Sequence, residues 1–200
     1  MMGIGRKKAV ARPPLDFMPT PETATLALML AEQGRWRELG RLWEPACGNG
    51  KMANVLRRSG VEVACSDIVD RGYPGTIKQN FLDFEAPLGR GVVTNPPYFD
   101  GLPEKFVLNA LRLRVPYVAL LLKANYLHAG RAHRLFDRWR PARYYHLTWR
   151  VDFTGEGRSP WSMTWFVWDA EATATEVHLL REPSLTEMPA PAPDLFKGAA

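Results

Sequence analysis

Arg41-Leu42-Trp43-Glu44-Pro45-Ala46-Cys47-Gly48-Asn49-Gly50 decides how this chain folds. Arg41-Leu42-Trp43 reads as a short strand, and the chain then turns tightly through a proline and two glycines. Met52, Val55 and Leu56 recur at the spacing of one helix face, and Gly60 is placed to end that helix. A strand that halts at a glycine turn and feeds a helix leaves backbone N–H groups facing a cleft. Where there is no Cβ, a ligand can approach the backbone closely. Val61–Cys65 reads as a second strand running to Ser66-Asp67, so the decisive unit is strand, helix, strand.

Working outward, Thr20 is expected to cap a helix whose first position is Pro21, with Leu26, Met29 and Leu30 as its apolar stripe and Gly34 as its stop. Downstream, a third short strand is expected near Thr76–Gln79, then Phe81-Leu82-Asp83-Phe84, then a fourth strand at Gly91–Thr94 that ends in Asn95-Pro96-Pro97-Tyr98. A helix from about Pro103 to Arg114 buries Phe106, Val107, Ala110 and Leu111. Tyr117–Leu122 is continuously apolar, as a strand buried on both faces should be. A basic helix at Arg131–Arg140 follows. Tyr144–Val151 and Met163–Trp168 read as a strand pair joined by the loop Asp152–Ser162, and a last strand lies near Val177–Leu180. The expected architecture is α/β: a Rossmann-like, seven-stranded, mostly parallel sheet flanked by helices, with its ligand at the carboxyl ends of the strands. Residues 1–16 are expected to form a flexible basic arm, 17–182 the folded domain and 183–200 a disordered tail rich in proline and alanine.

With 200 residues, 46% of them apolar and 24% charged, the chain suits one globular domain. No apolar run approaches the roughly 20 residues of a membrane span. Arg6, Lys7, Lys8 and Arg12 are not followed by the apolar stretch of a secretory signal, so a cytoplasmic protein is expected. The two cysteines, Cys47 and Cys65, read as small buried apolar residues. With four scattered histidines they make no ligand cluster, and no metal is expected. The net charge of +5 favours a polyanionic partner.

Four constellations carry chemistry. Glu44, at the end of the first strand, places negative charge where a phosphate-binding loop would avoid it, and so suits a cationic ligand. Asp67 ends the second strand, at the distance after the glycines where a carboxylate can accept both hydroxyls of a ribose. Asp83-Phe84 offers an acceptor for an adenine amino group and an aromatic cover for its ring. Asn95-Pro96-Pro97-Tyr98 is the decisive one. The lone pair of an exocyclic amine is delocalised into its ring, so that nitrogen is a poor nucleophile. The Asn95 side-chain oxygen and the Pro96 carbonyl can accept its two N–H bonds, draw it toward tetrahedral geometry and localise the lone pair. Two prolines hold the turn rigid, and Tyr98 offers a face on which a planar acceptor stacks. No general base is required, because the nitrogen becomes acidic once it has reacted.

From about Phe17 to Tyr98 these motifs, in this order, resemble the amino-group methyltransferases of the class I S-adenosylmethionine-dependent fold, most closely the DNA adenine-N6 group. The resemblance implies S-adenosylmethionine as cofactor. It implies Thr20, Glu44, Ala46, Gly48, Gly50, Asp67, Ile68, Asp83, Phe84 and Asn95 as its contacts, with the Thr20-Pro21 segment closing over it. Asn95, Pro96, Pro97 and Tyr98 become the catalytic turn. Tyr98 and Trp161 become substrate contacts, Trp161 coming from the loop Asp152–Ser162, in which Phe153 is expected to pack beneath the loop. A base in a duplex would be flipped out to reach them. Arg131, Arg134, Arg138, Arg140 and Arg143, with the N-terminal arm, are the candidate phosphate contacts, or else a solvated face. Restriction-system members carry a further target-recognition domain for which this chain leaves no room. The resemblance therefore implies a compact orphan enzyme of phage or prophage type, or one that works with a partner subunit. The expected function is methylation of adenine N6 in DNA. The same turn also serves adenine N6 in RNA and glutamine N5 in proteins, and a reading of another class is a catalytically silent nucleic-acid-binding module.

Overall fold

The computed structural model describes residues 17–128, 130–157 and 160–190, and only the backbone of 131, 132 and 134. The expected arm and the 191–200 part of the expected tail lie outside the described residues. Among those described, the elements run α1 (Glu22–Leu39), β1 (Arg41–Glu44), α2 (Lys51–Arg57), β2 (Glu62–Asp67), β3 (Thr76–Lys78), β4 (Gly91–Thr94), α3 (Leu102–Arg112), β5 (Tyr117–Lys123), α4 (Gly130–Arg138), β6 (Arg143–Leu147), β7 (Met163–Asp169) and β8 (Glu176–Leu180). The strands form one sheet in the order β3-β2-β1-β4-β5-β7-β6-β8. β1 to β5 run parallel, β7 is antiparallel to both β5 and β6, and β8 runs parallel to β6. The sheet is α/β and mostly parallel as expected, but it has eight strands and not seven, because β8 adds to the edge at β6. From β1 the chain builds outward through β2 to β3, then returns to start β4 on the other side of β1. That reversal opens a crevice at the carboxyl ends of β1 and β4.

The unbroken apolar runs of β5 and β7 are shared between two cores by strand alternation. Tyr117, Ala119, Leu121, Trp165 and Val167 face the cluster built with α1 and α2. Val118, Leu120, Leu122, Phe166 and Trp168 face the one built with α3 and α4. Helix α1 does not stop at Gly34. It continues to Leu39 and ends at Gly40, whose positive φ of 75° closes the helix with an N–H bond to the Trp36 carbonyl. Burial of Trp36 and Leu39 outweighs the roughly 1 kcal/mol cost of a glycine inside a helix. Thr20 does not cap α1: the cap position falls to Pro21, with no side-chain bond.

Buried charge fixes α1 to the far half of the sheet. The Arg143 guanidinium donates to Glu32 Oε1 at 2.6 Å and to Asp169 Oδ2 at 2.8 Å, Arg35 donates to both Asp169 oxygens, and the Tyr145 hydroxyl donates to Glu32 at 2.5 Å. Arg143 is thus engaged inside the fold, contrary to its expected place among the phosphate contacts. Residues 183–190 are not the disordered start of a tail either. Ser184 and Glu187 form a reciprocal capping box around a 3₁₀ turn at Leu185–Glu187, Arg181 pairs with Glu187, and Met188 packs against the core.

Candidate active site

The carboxyl ends of β1, β2 and β4 and the segment before α1 enclose a cavity of about 320 Å³, of the size that takes a small molecule. Its lining includes Thr20, Glu44, Ala46, Gly48, Asp67, Ile68, Asn95, Pro96, Pro97 and Tyr98, so most of the residues singled out in the sequence meet there. Gly50, Asp83, Phe84 and Trp161 are not in that lining.

The glycine turn is held from below by Asp67. Its Oδ2 accepts from the Gly48 N–H at 2.8 Å and its Oδ1 from the Val69 N–H at 2.9 Å. Cys47 N–H donates to the Ser66 carbonyl at 3.1 Å, which docks the turn onto the end of β2. Gly48 and Gly50 both have positive φ, 54° and 79°, but their open sides are used differently. The ring of Phe17 lies against Gly48 where a Cβ would stand, whereas the ring of Tyr73 fills that place at Gly50. Gly48 therefore lets the segment before α1 close on the turn, and Gly50 serves the turn and the start of α2. Phe17 is held in turn by the Arg71 guanidinium, 4.1 Å from its ring centroid.

Glu44 is 3% exposed, and its Oε2 has no hydrogen-bond partner among the described residues. Burial, with the negative potential of neighbouring Cys47 second, pushes its carboxyl well above the usual range. An ammonium or sulfonium group facing it would favour its charged form. Ile68, by contrast, is 56% exposed at the cavity edge, an apolar surface suited to the face of a ring.

The cavity wall expected from Asp83-Phe84 comes from residues just before them. Phe84 is buried against Trp43, with ring centroids 4.8 Å apart, and Asp83 is exposed. The residues that line the cavity are Asn80, Phe81 and Leu82, shaped by a 3₁₀ turn in which Asn80 Oδ1 accepts from the Leu82 N–H at 3.1 Å. Phe17, Arg71 and Asn80 were missed as site residues. Asn80 had a signal, being a capping residue type ahead of an apolar pair, whereas Arg71 had none.

At the Asn95-Pro96-Pro97-Tyr98 turn, Asn95 is oriented at both ends of its amide. Nδ2 donates to the Met18 carbonyl at 3.4 Å, and Oδ1 accepts from the Tyr98 hydroxyl. That hydroxyl also lies 3.0 Å from the Leu121 carbonyl, a second acceptor for its single proton. Burial pushes the Tyr98 phenol above its ordinary range, so it remains a donor. The Tyr98 side chain also lines a second, more open cavity with Pro103, Lys123, Asn125, Tyr126 and His128. Trp161 reaches that cavity through Lys123, whose ammonium stands 3.6 Å from the Trp161 ring centroid and 5.9 Å from that of Tyr98. Phe153 packs against the core.

No protein-family model matches the sequence, and no curated protein matches it. Solved structures do match the fold. A protein described as an RNA methyltransferase from Pyrococcus horikoshii is 15% identical over 81% of this chain and 92% of its own, with a TM-score of 0.61. A protein described as a class I S-adenosylmethionine-dependent methyltransferase from Listeria monocytogenes is 16% identical over 84% of this chain and 67% of its own, with a TM-score of 0.60. The 1,6-didemethyltoxoflavin-N1-methyltransferase of Burkholderia thailandensis, with bound 1,6-didemethyltoxoflavin and S-adenosylhomocysteine, is 12% identical over 74% of this chain and 77% of its own, with a TM-score of 0.52. The chain has the class I methyltransferase fold. Among the described residues, no helix is long and apolar enough to cross a membrane.

Proposed function

We propose that this protein is an S-adenosylmethionine-dependent N-methyltransferase acting on an exocyclic amino group, adenine N6 in DNA before other acceptors. The observation that carries the reading is the shared cavity: the Asn95 turn opens on the same space as Glu44, Gly48 and Asp67. The residues there fit the cofactor. Glu44 holds an unmatched buried oxygen suited to its cationic methionine end, and Asp67 lines the wall where ribose hydroxyls would lie. Gly48 lets Phe17 and Met18 cover the turn. Bound there, S-adenosylmethionine supplies an electrophilic methyl group.

The protein's part is alignment. Asn95 Oδ1 and the Pro96 carbonyl accept the two N–H bonds of the acceptor nitrogen, which localises its lone pair toward the cavity. When Oδ1 takes the acceptor N–H, the Tyr98 hydroxyl can turn its proton to the Leu121 carbonyl, so neither oxygen loses a partner. Tyr98 and Pro97 brace the planar acceptor. The methylated nitrogen then releases its proton to solvent, and no side-chain base is assigned. Net charge of +5 supports a nucleic-acid acceptor over a protein glutamine. Calorimetry is expected to give micromolar affinity for S-adenosylhomocysteine, about −8 kcal/mol. Nucleoside mass spectrometry of DNA incubated with enzyme and cofactor should then show N6-methyladenine. Absence of cofactor binding would remove the methyltransferase reading and leave the silent module.

A further inference from the structure

Phe17 is a large apolar residue that stands 39% exposed at the wall of the first cavity, yet its ring is held on two sides. The Cδ2–Cε2–Cζ edge of the ring lies where a Gly48 side chain would begin. The Arg71 guanidinium stands over the face, 4.1 Å from the centroid. A cation against an aromatic face is attracted by the ring quadrupole, which an aliphatic residue of similar bulk does not offer.

Arg71 belongs to a firm platform. It lies in the loop between β2 and β3, and the loop is tied on both sides of it. Asp67 Oδ1 accepts from the Val69 N–H at 2.9 Å, and Asp70 Oδ1 accepts from the Gly72 N–H at 2.8 Å. The Tyr73 ring fills the open side of Gly50, and its hydroxyl donates to Asn54 Oδ1 at 2.7 Å. The segment before α1 is anchored at its far end. Thr20 is buried there, and the Trp165 indole N–H donates to the Ala24 carbonyl at 2.9 Å, which fixes the start of α1. Pro19 and Pro21 limit the turning of the chain beside that anchor. Towards the cavity the segment is met at Phe17, by Gly48 and Arg71, and at the Met18 carbonyl, which accepts from Asn95 Nδ2 at 3.4 Å. The second of these is a long hydrogen bond, so the ring contact is the stronger hold.

Phe17, Met18 and Arg71 line the cavity in which Glu44 and Asp67 stand. We propose that Phe17 and Arg71 form a latch that keeps the segment before α1 closed over the bound cofactor and slows its release. Arg71 is then a positioning residue that acts through the Phe17 ring. The proposal rests on the methyltransferase reading above.

The test measures dissociation of S-adenosylhomocysteine from the full chain in stopped flow. Arg71→Met, which keeps a long apolar stem, should speed release about fivefold, the scale of one cation–π contact. Phe17→Leu, which keeps apolar bulk but has no ring face, should do the same. The double variant should release no faster than either single one, because each removes the same contact. Arg71→Lys should fall between wild type and Arg71→Met, and Phe17→Tyr should match wild type. Effects that multiply in the double variant would overturn the proposal, since Arg71 would then hold the cofactor or the fold without Phe17. Unchanged release in Arg71→Met would overturn it as well. A second readout needs no ligand. Chymotrypsin cleaves after Phe17 when the ring leaves its seat, so Arg71→Met should be cut there about fivefold faster than wild type, with the product identified by mass. Equal rates would remove the latch. Wild-type protein that binds no S-adenosylhomocysteine is a separate outcome that counts against the methyltransferase reading, and the cleavage rates then decide the latch by themselves.

Discussion

The two cavities that share Tyr98 are built from different material. The inner one is shaped by backbone turns at strand ends, and its polar groups are buried or tied down: Asp67 by two amides, Asn95 by Met18 and Tyr98, Glu44 by burial. The outer one is formed by Tyr98, Pro103 of α3, Lys123 at the end of β5 and side chains of a 3₁₀ turn at Ala124–His128, with Asn125 and His128 exposed. A ligand that never changes can be met by a rigid turn encoded in a few consecutive residues. An acceptor that differs between related folds is met by loops, where substitution leaves the sheet intact. On the proposed reading, damage to the inner cavity removes cofactor binding, whereas damage to the outer one leaves it in place.

The largest effect expected is on neither cavity, and it calibrates the rest. Glu32→Gln leaves Arg143 and Asp169 unbalanced in the buried network and should cost about 2–3 kcal/mol of stability in denaturant titration, with cofactor affinity unchanged below the transition. A cofactor affinity that fell in step would mean that the far half of the sheet shapes the inner cavity after all. Next, Asp67→Ala should weaken S-adenosylhomocysteine by at least about tenfold. It removes the carboxylate from the cavity wall and also frees the Gly48 and Val69 amides it ties. Unchanged affinity would take Asp67 out of the cofactor site.

Glu44 gives a pH test of similar or smaller size. Burial raises its carboxyl and a cationic partner favours the ionised form, so binding is coupled to proton release. Affinity should therefore rise with pH above the ordinary carboxylate range, by at most about tenfold per pH unit, with proton release visible as a buffer-dependent heat. A flat profile in wild type, or the same slope in Glu44→Gln, would show that Glu44 does not face the cation. The smallest effect falls on the shared wall. Tyr98→Phe keeps the ring but removes the hydroxyl that orients Asn95, and should lower turnover by about fivefold with little change in cofactor affinity. Tyr98→Ala should be worse, because the wall between the cavities goes as well.

How far the sequence could be read follows the same division. The strand–turn–helix at Arg41–Arg57 and the Asn95 turn were legible because glycine, proline and a terminal acid have few reasons to stand together. The course of α1 past Gly34 was not, since the Arg35–Asp169 pair acts across 134 positions of chain and, like the burial of Trp36, leaves no local mark. Phe84 was taken for a ligand cover because it stands beside an acid; whether a ring turns to the cavity or to Trp43 depends on the 3₁₀ turn before it. Lys123 ends an apolar strand, and its contact with the Trp161 ring appears only where β7 brings the loop end alongside.

The central claim is that Asn95 aligns an acceptor nitrogen for methyl transfer, and one comparison tests it most directly. Wild-type protein and Asn95→Ala are incubated with methyl-labelled S-adenosylmethionine and, separately, with DNA, RNA and protein acceptors, and the label is counted in each. The account predicts label on adenine N6 of DNA with wild type and a loss of about 10²-fold or more in Asn95→Ala, whose S-adenosylhomocysteine affinity stays near that of wild type. Equal labelling by the two proteins, or no labelling of any acceptor by a wild-type protein that binds the cofactor, would contradict it.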